Sequence, residues 1–116
     1  MLSDPQVARA FADMVEMPGA PHSVQSLAQA AGLSRSAFMQ RFHRAFGRSP
    51  MIVLRDLRMR YAARLLETQT LAIDRVARAV GYNSRSSFSR AFRQAHGREP
   101  EVWRARKVVG DLTRTG

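Results

Sequence analysis

Two short stretches of the chain carry side chains suited to reading hydrogen-bond patterns. Ser36, Met39, Gln40 and His43 form one set; Ser86, Ser89, Arg90 and Arg93, with Arg85 just ahead, form the other. Both follow the i, i+3, i+4, i+7 spacing that places residues along one face of a helix. Gln sets a donor beside an acceptor, as adenine requires, and the Arg fork fits guanine. Ser hydroxyls serve either partner, and Met offers apolar contact to a thymine methyl. Arg35, Arg44, Arg48, Arg93 and Arg98 stand at the edges of these faces, where cations suit phosphate oxygens that position a duplex without specifying it. Ser23, Ser34 and Ser84 can each cap a helix, whose first N–H groups also face anions.

Other chemistries find less support. His22, His43 and His96 are not at ligand spacing, and the chain has no cysteine, so neither a metal site nor another cofactor is expected. No strand–turn–helix nucleophile motif exists, which argues against an enzyme. Phe38, Phe42, Phe88, Phe92 and Trp103 could stack on single strands, but their helical spacing points to core packing.

Charge sharpens the picture. The 116 residues carry a net +10, through 18 Arg and one Lys against nine acids. Residues 1–34 sum to −2, residues 35–106 to +11 and the last ten to +1. A polyanion partner follows, with nucleic acid ahead of a membrane surface. No stretch approaches the roughly 18 apolar residues of a membrane span. Met1-Leu2-Ser3-Asp4 does not resemble a signal peptide, and the lack of cysteine sits with a reducing cytoplasm.

The elements that must position these residues are all helical. Asp4-Pro5 starts a helix with Val7, Phe11, Met14 and Val15 inward, and Pro18-Gly19-Ala20-Pro21 ends it. Ser23 caps a second helix with Val24, Leu27, Ala28 and Ala31 inward, stopped by Gly32. Ser34 caps a third, lined by Phe38, Phe42, Ala45 and Phe46 and stopped by Gly47. Ser49-Pro50 opens a long helix with Ile52, Val53, Leu54, Leu57, Ala62, Leu65 and Leu66, running to about Glu67 and spanning about 25 Å. Ile73, Val76, Ala77 and Val80 mark a fifth helix, and Phe88, Ala91, Phe92 and Ala95 a sixth. Val102 and Trp103 sit on a short seventh. No alternating strand pattern appears, so the expected class is all-α.

The chain also repeats itself. Residues 35–50 align with 85–100, and eight of the 16 pairs are identical, among them Arg35/Arg85, Ser36/Ser86, Phe38/Phe88, Phe42/Phe92, Gly47/Gly97 and Pro50/Pro100. Fixed self-similarity means one supersecondary unit used twice. Each copy has a short helix with a small residue (Ala28 or Ala77), a glycine turn, an apolar residue (Leu33 or Tyr82) and a second helix. That is the order of a helix-turn-helix, whose second helix enters the major groove.

With these residues in place, the chain resembles the DNA-binding domain of the AraC/XylS family of bacterial transcription regulators. The resemblance is carried by Arg58-Met59-Arg60-Tyr61-Ala62-Ala63-Arg64-Leu65-Leu66, by Ile73, Val76-Ala77 and Gly81-Tyr82, and by Phe88-Ser89-Arg90-Ala91-Phe92-Arg93 with Gly97, Pro100 and Trp103. It covers about residues 22–106. It implies two helix-turn-helix units on a rigid linker helix, in successive major grooves of double-stranded DNA. By family position, Ser36, Met39 and Gln40, then Arg85, Ser86, Ser89 and Arg90, occupy base-reading sites. RNA polymerase is a further partner that the resemblance brings in, and a membrane is not. Two departures stand out: Ala72 replaces the usual capping Ser or Thr, and Glu99 stands where the first copy has Ser49. Both weaken an N-cap.

The expected organisation is an N-terminal helix plus first helix-turn-helix over 1–50, a linker helix over 51–67, a second helix-turn-helix with closing helix over 68–106, and a flexible tail over 107–116. Since the two reading faces differ, the site read should be asymmetric. An effector or dimerisation domain finds no room in this length, so a C-terminal fragment or the rarer stand-alone form is expected. Two alternatives remain at this point: a DNA-targeting module of a larger enzyme, and a basic helical protein-interaction domain.

Overall fold

The computed structural model describes residues 4–106, and the expected tail over 107–116 lies outside them. The fold is all-α. Its helices are α1 (Pro5–Glu16), α2 (Val24–Ala31), α3 (Arg35–Phe46), α4 (Pro50–Thr68), α5 (Ile73–Ala79) and α6 (Arg85–His96). A seventh, α7, is helical over residues 100–106. The chain divides into two compact units, the first ending at Leu57 and the second beginning at Arg58, so the boundary falls inside α4.

Local chemistry accounts for the helix ends. Asp4 accepts from the Val7 N–H, and Pro5 fills the first helical position, where a missing donor is harmless. Ser34 and Ser84 each accept from the N–H three residues on, at 3.2 Å. Ser23 does more. Its hydroxyl accepts from Ser26 N–H at 3.0 Å while Ser26 Oγ accepts from Ser23 N–H at 2.9 Å, a capping box built from two serines. Ala72 precedes α5 with no side-chain cap bond, as its methyl requires. Its extended backbone already suits a capping hydroxyl, so Ala72→Ser should raise stability by about 0.5–2 kcal/mol. A melting temperature that stays level or falls would refute this.

The first unit closes on Val7, Ala10 and Met14 of α1, Leu27, Ala28 and Ala31 of α2, Phe38 and Phe42 of α3, and Leu54 of α4. The second closes on Met59, Ala62 and Leu66 of α4, Ile73, Val76 and Ala77 of α5, and Phe88, Ala91 and Phe92 of α6. The repeated phenylalanines are fully buried in both. No polar side chain among the described residues is buried in either core, so apolar burial is the dominant favourable term holding each unit together.

Three residues expected inward point out. Val15 is 47% exposed because α1 buries the 7, 10, 14 line, and position 15 lies about 100° around the helix from Met14. Ile52 is 41% exposed, two residues and hence about 200° from the buried Leu54. Ala95 lies on the phenylalanine face of α6 but is exposed, because the last turn is covered at His96 instead. The His96 ring lies 4.5 Å from Phe92 and 4.8 Å from Trp103, and Nε2 is 3.1 Å from the Met59 carbonyl.

Each unit borrows a closing helix. In the first, Arg41 of α3 holds the Asp4 carboxylate with two bonds of 2.7 Å and reaches Gln6 Oε1, while Gln6 Nε2 donates to the Ala31 carbonyl. These contacts fasten α1 across α2 and α3. The guanidinium holds the Asp4 carboxyl below its usual range, and the carboxylate raises Arg41 in turn. In the second unit α7 takes this part: Trp103 Nε1 donates to Glu67, and Arg104 donates to the carbonyls of Leu66 and Gln69 at the end of α4. A cation on those last carbonyls satisfies acceptors that the helix itself leaves open.

Candidate nucleic-acid interface

The faces of α3 and α6 turned away from the buried phenylalanines are polar and open. On α3, Ser36, Met39, Gln40 and His43 are all exposed, with Arg35 and Arg44 beside them. Met39 is 37% exposed, unusual for a methionine with a core a quarter-turn away. Arg35, Ser36 and Met39 line one open depression with Val24 of α2; Gln40 and His43 lie further along the helix. On α6, Arg85, Ser86, Arg90 and Arg93 are exposed and Ser89 is half-buried. Arg85 and Ser84 share a second depression with Asp74, Arg78 and Asn83, at the junction of α5 and α6.

The turns that aim these helices explain their glycines. Gly32 has φ +71 and Gly81 φ +93, a region where a Cβ is penalised. At Gly32 an added Cβ would meet Gln6 at an ordinary 3.6 Å. At Gly81 it would come within 3.0 Å of the Arg58 guanidinium, the end of a long side chain that would have to give slightly, so φ is what makes glycine necessary here. Burial draws the Arg58 pKa below its ordinary value, with Tyr82 acting the other way. Tyr82 packs edge-on to Phe88, at 6.0 Å between centroids, and so ties the turn to α6.

Electrostatics divide the candidate cations. Arg35, Arg44, Arg90 and Arg98 are exposed and make no ion pair with a described residue. Arg48 pairs with Asp56 and Arg93 with Glu99. Arg85 pairs with Glu101 at 3.1 Å and lies 3.9 Å from Asp74. None of these partners was read from sequence, because acids six to 16 residues away in other elements leave no periodic mark. Glu99, noted for failing to cap α7, serves Arg93 instead. Among the described residues no cluster of His, Cys, Asp or Glu could hold a metal, and no helix is long and apolar enough to cross a membrane.

Comparison with known proteins places this geometry. A family model described as a helix-turn-helix domain matches residues 27–106, and the matching relatives and solved structures include AraC-type ones. The chain belongs to the AraC-type helix-turn-helix family. It is 39% identical over 106 residues to the RCS-specific HTH-type transcriptional activator RclR of Escherichia coli, covering 91% of this chain and 37% of that protein. It is 35% identical over 103 residues to the HTH-type transcriptional regulator AlkR of Acinetobacter baylyi, covering 89% and 34%. The chain thus spans about a third of the length of these AraC-type relatives. Among solved structures, the DNA-binding domain of AdpA, a global transcriptional factor in complex with a target DNA, matches with a TM-score of 0.83. That match is 35% identical and covers 89% of this chain and 92% of that one. An AraC-type DNA-binding domain protein from Chromobacterium violaceum matches at 0.82 with 27% identity, covering 90% and 94%.

Proposed function

We propose that this chain is the sequence-specific, double-stranded DNA-binding part of a bacterial AraC-type transcription regulator. One observation carries the reading: the same helix of each repeat buries its phenylalanines and exposes a hydrogen-bonding, Arg-flanked face. The AdpA domain, solved on its target DNA, supports the occupant of that face. Ser36, Met39, Gln40 and His43 of α3 and Arg85, Ser86, Ser89 and Arg90 of α6 read base edges. Arg35, Arg44, Arg48, Arg93 and Arg98 contact phosphate, with the helix starts at Ser23, Ser34 and Ser84 adding backbone N–H groups. The two faces share only their first serine, at 36 and 86, so the preferred site is asymmetric. The role is binding rather than catalysis. Effector recognition or dimerisation is assigned to no residue of this chain, which spans about a third of the length of these relatives, and RNA polymerase is the partner through which bound protein acts.

Arg90 tests the assignment. It is exposed, it makes no ion pair with a described residue, and it has Gln40 as its counterpart. With a preferred duplex selected from a random library, Arg90→Ala should weaken binding by about 1–3 kcal/mol and relax a single base position. Equal weakening on every duplex would make Arg90 a phosphate contact.

A further inference from the structure

Arg35 and Arg85 hold equivalent places, each the first residue of its reading helix. Their surroundings differ. Arg85 NH2 donates to Glu101 Oε2 of α7 at 3.1 Å, and NH1 lies 3.9 Å from Asp74 Oδ1 of α5. At the matching positions of the first copy stand Gln25 and Met51, both neutral, and no described acid pairs with Arg35. The same arginine is therefore bare in one unit and bracketed by carboxylates from two elements in the other.

Two acids beside one guanidinium more than offset its own charge, and with Arg78 in the same depression the local sum falls to zero. A phosphate approaching Arg85 meets two carboxylates already on the guanidinium, while a neutral base edge is not repelled by them. The remaining N–H groups of the fork still donate to acceptors such as guanine O6 and N7. We propose that Glu101, assisted by Asp74, is a specificity-determining positioning residue: it keeps Arg85 off the DNA backbone and leaves it for a base edge. The first unit has no such restraint. This rests on the DNA reading above, and it adds that the second unit discriminates against the wrong duplex by repulsion as well as selecting the right one by contact.

The test compares wild type, E101Q, R85A and the double variant on the selected duplex and on a scrambled one across a salt series. Glu101 is half exposed, so E101Q should fold, and a thermal melt verifies this. E101Q should tighten the scrambled duplex by about three- to tenfold at low salt and steepen its log–log salt slope by about 0.9, one more phosphate contact, with about twofold change or less on the selected duplex. In the R85A background the same change should do nothing. Asp74→Asn, acting from the other element, should move the scrambled duplex in the same direction by less. Equal tightening on both duplexes, an effect that persists without Arg85, or no effect at all would overturn the proposal. Wild-type binding that ignores both salt and duplex sequence would instead sink the DNA reading on which it rests.

Discussion

Replacing Phe92 with alanine is expected to destabilise the second unit by about 3–5 kcal/mol, read from urea unfolding. The ring is fully buried and has aromatic neighbours on three sides: Phe88 at 5.7 Å, His96 at 4.5 Å and Trp103 edge-on at 5.7 Å. Those neighbours come from α6 and α7, so the ring also holds α7 against α6. Alanine removes the transfer free energy of a whole ring and leaves a cavity walled by stiff side chains that cannot collapse into it. Against a typical domain stability of about 5–15 kcal/mol, that loss removes a large fraction of the total and leaves a unit at the low end of this range only marginally folded. A change below about 1 kcal/mol would mean the site repacks freely, contrary to the closely packed ring cluster.

The second large effect is on salt. Five arginines, Arg35, Arg44, Arg48, Arg93 and Arg98, are assigned to phosphates. Neutralising five phosphates gives a slope of log affinity against log salt near about −4.5, or roughly 500-fold weaker binding between about 50 and 200 mM salt. Two of the five, Arg48 and Arg93, begin in ion pairs with Asp56 and Glu99. Each of these two faces a single acid, unlike Arg85 with its two, and an exposed single pair is worth about 1 kcal/mol or less, so a duplex should open both and the full slope should appear. A slope near about −3 would show these two staying with their acids, leaving three contacts. A slope near zero would favour a basic protein-interaction domain over a DNA reader. Titration by fluorescence anisotropy at several salt concentrations settles which of the three holds.

The residues differ in how openly they announced their roles. Caps at Asp4, Ser23, Ser34 and Ser84 were legible because a cap is a local bond, made within three residues of its acceptor. The buried phenylalanines were legible from helical period, and the exposed faces followed as their opposites. Val15 and Ile52 were misread because apolar character alone does not say how wide a buried stripe is. Ala95 was misread because its covering partner was taken by His96, a contact that depends on where α7 lies. Arg41 gave no sign of its tie to Asp4, 37 residues away, since an ion pair between distant elements has no period. The same holds at the interface. Which residues face outward could be read from the chain, but which arginines are already held by acids could not, and that distinction bears on how each would meet DNA.

The closing helices lie at opposite ends of their units, and this sets an order on synthesis. Chains emerge from the amino end and fold as units while they grow. The first unit has α1 in hand before α2 and α3 appear, and its core residues all lie at or before Leu57. The second waits for α7, its final described element, before Trp103 and Arg104 can secure the end of α4. One unit should thus be finished while the other is still being made, and stalled or truncated translation near residue 100 would release a chain with one finished unit.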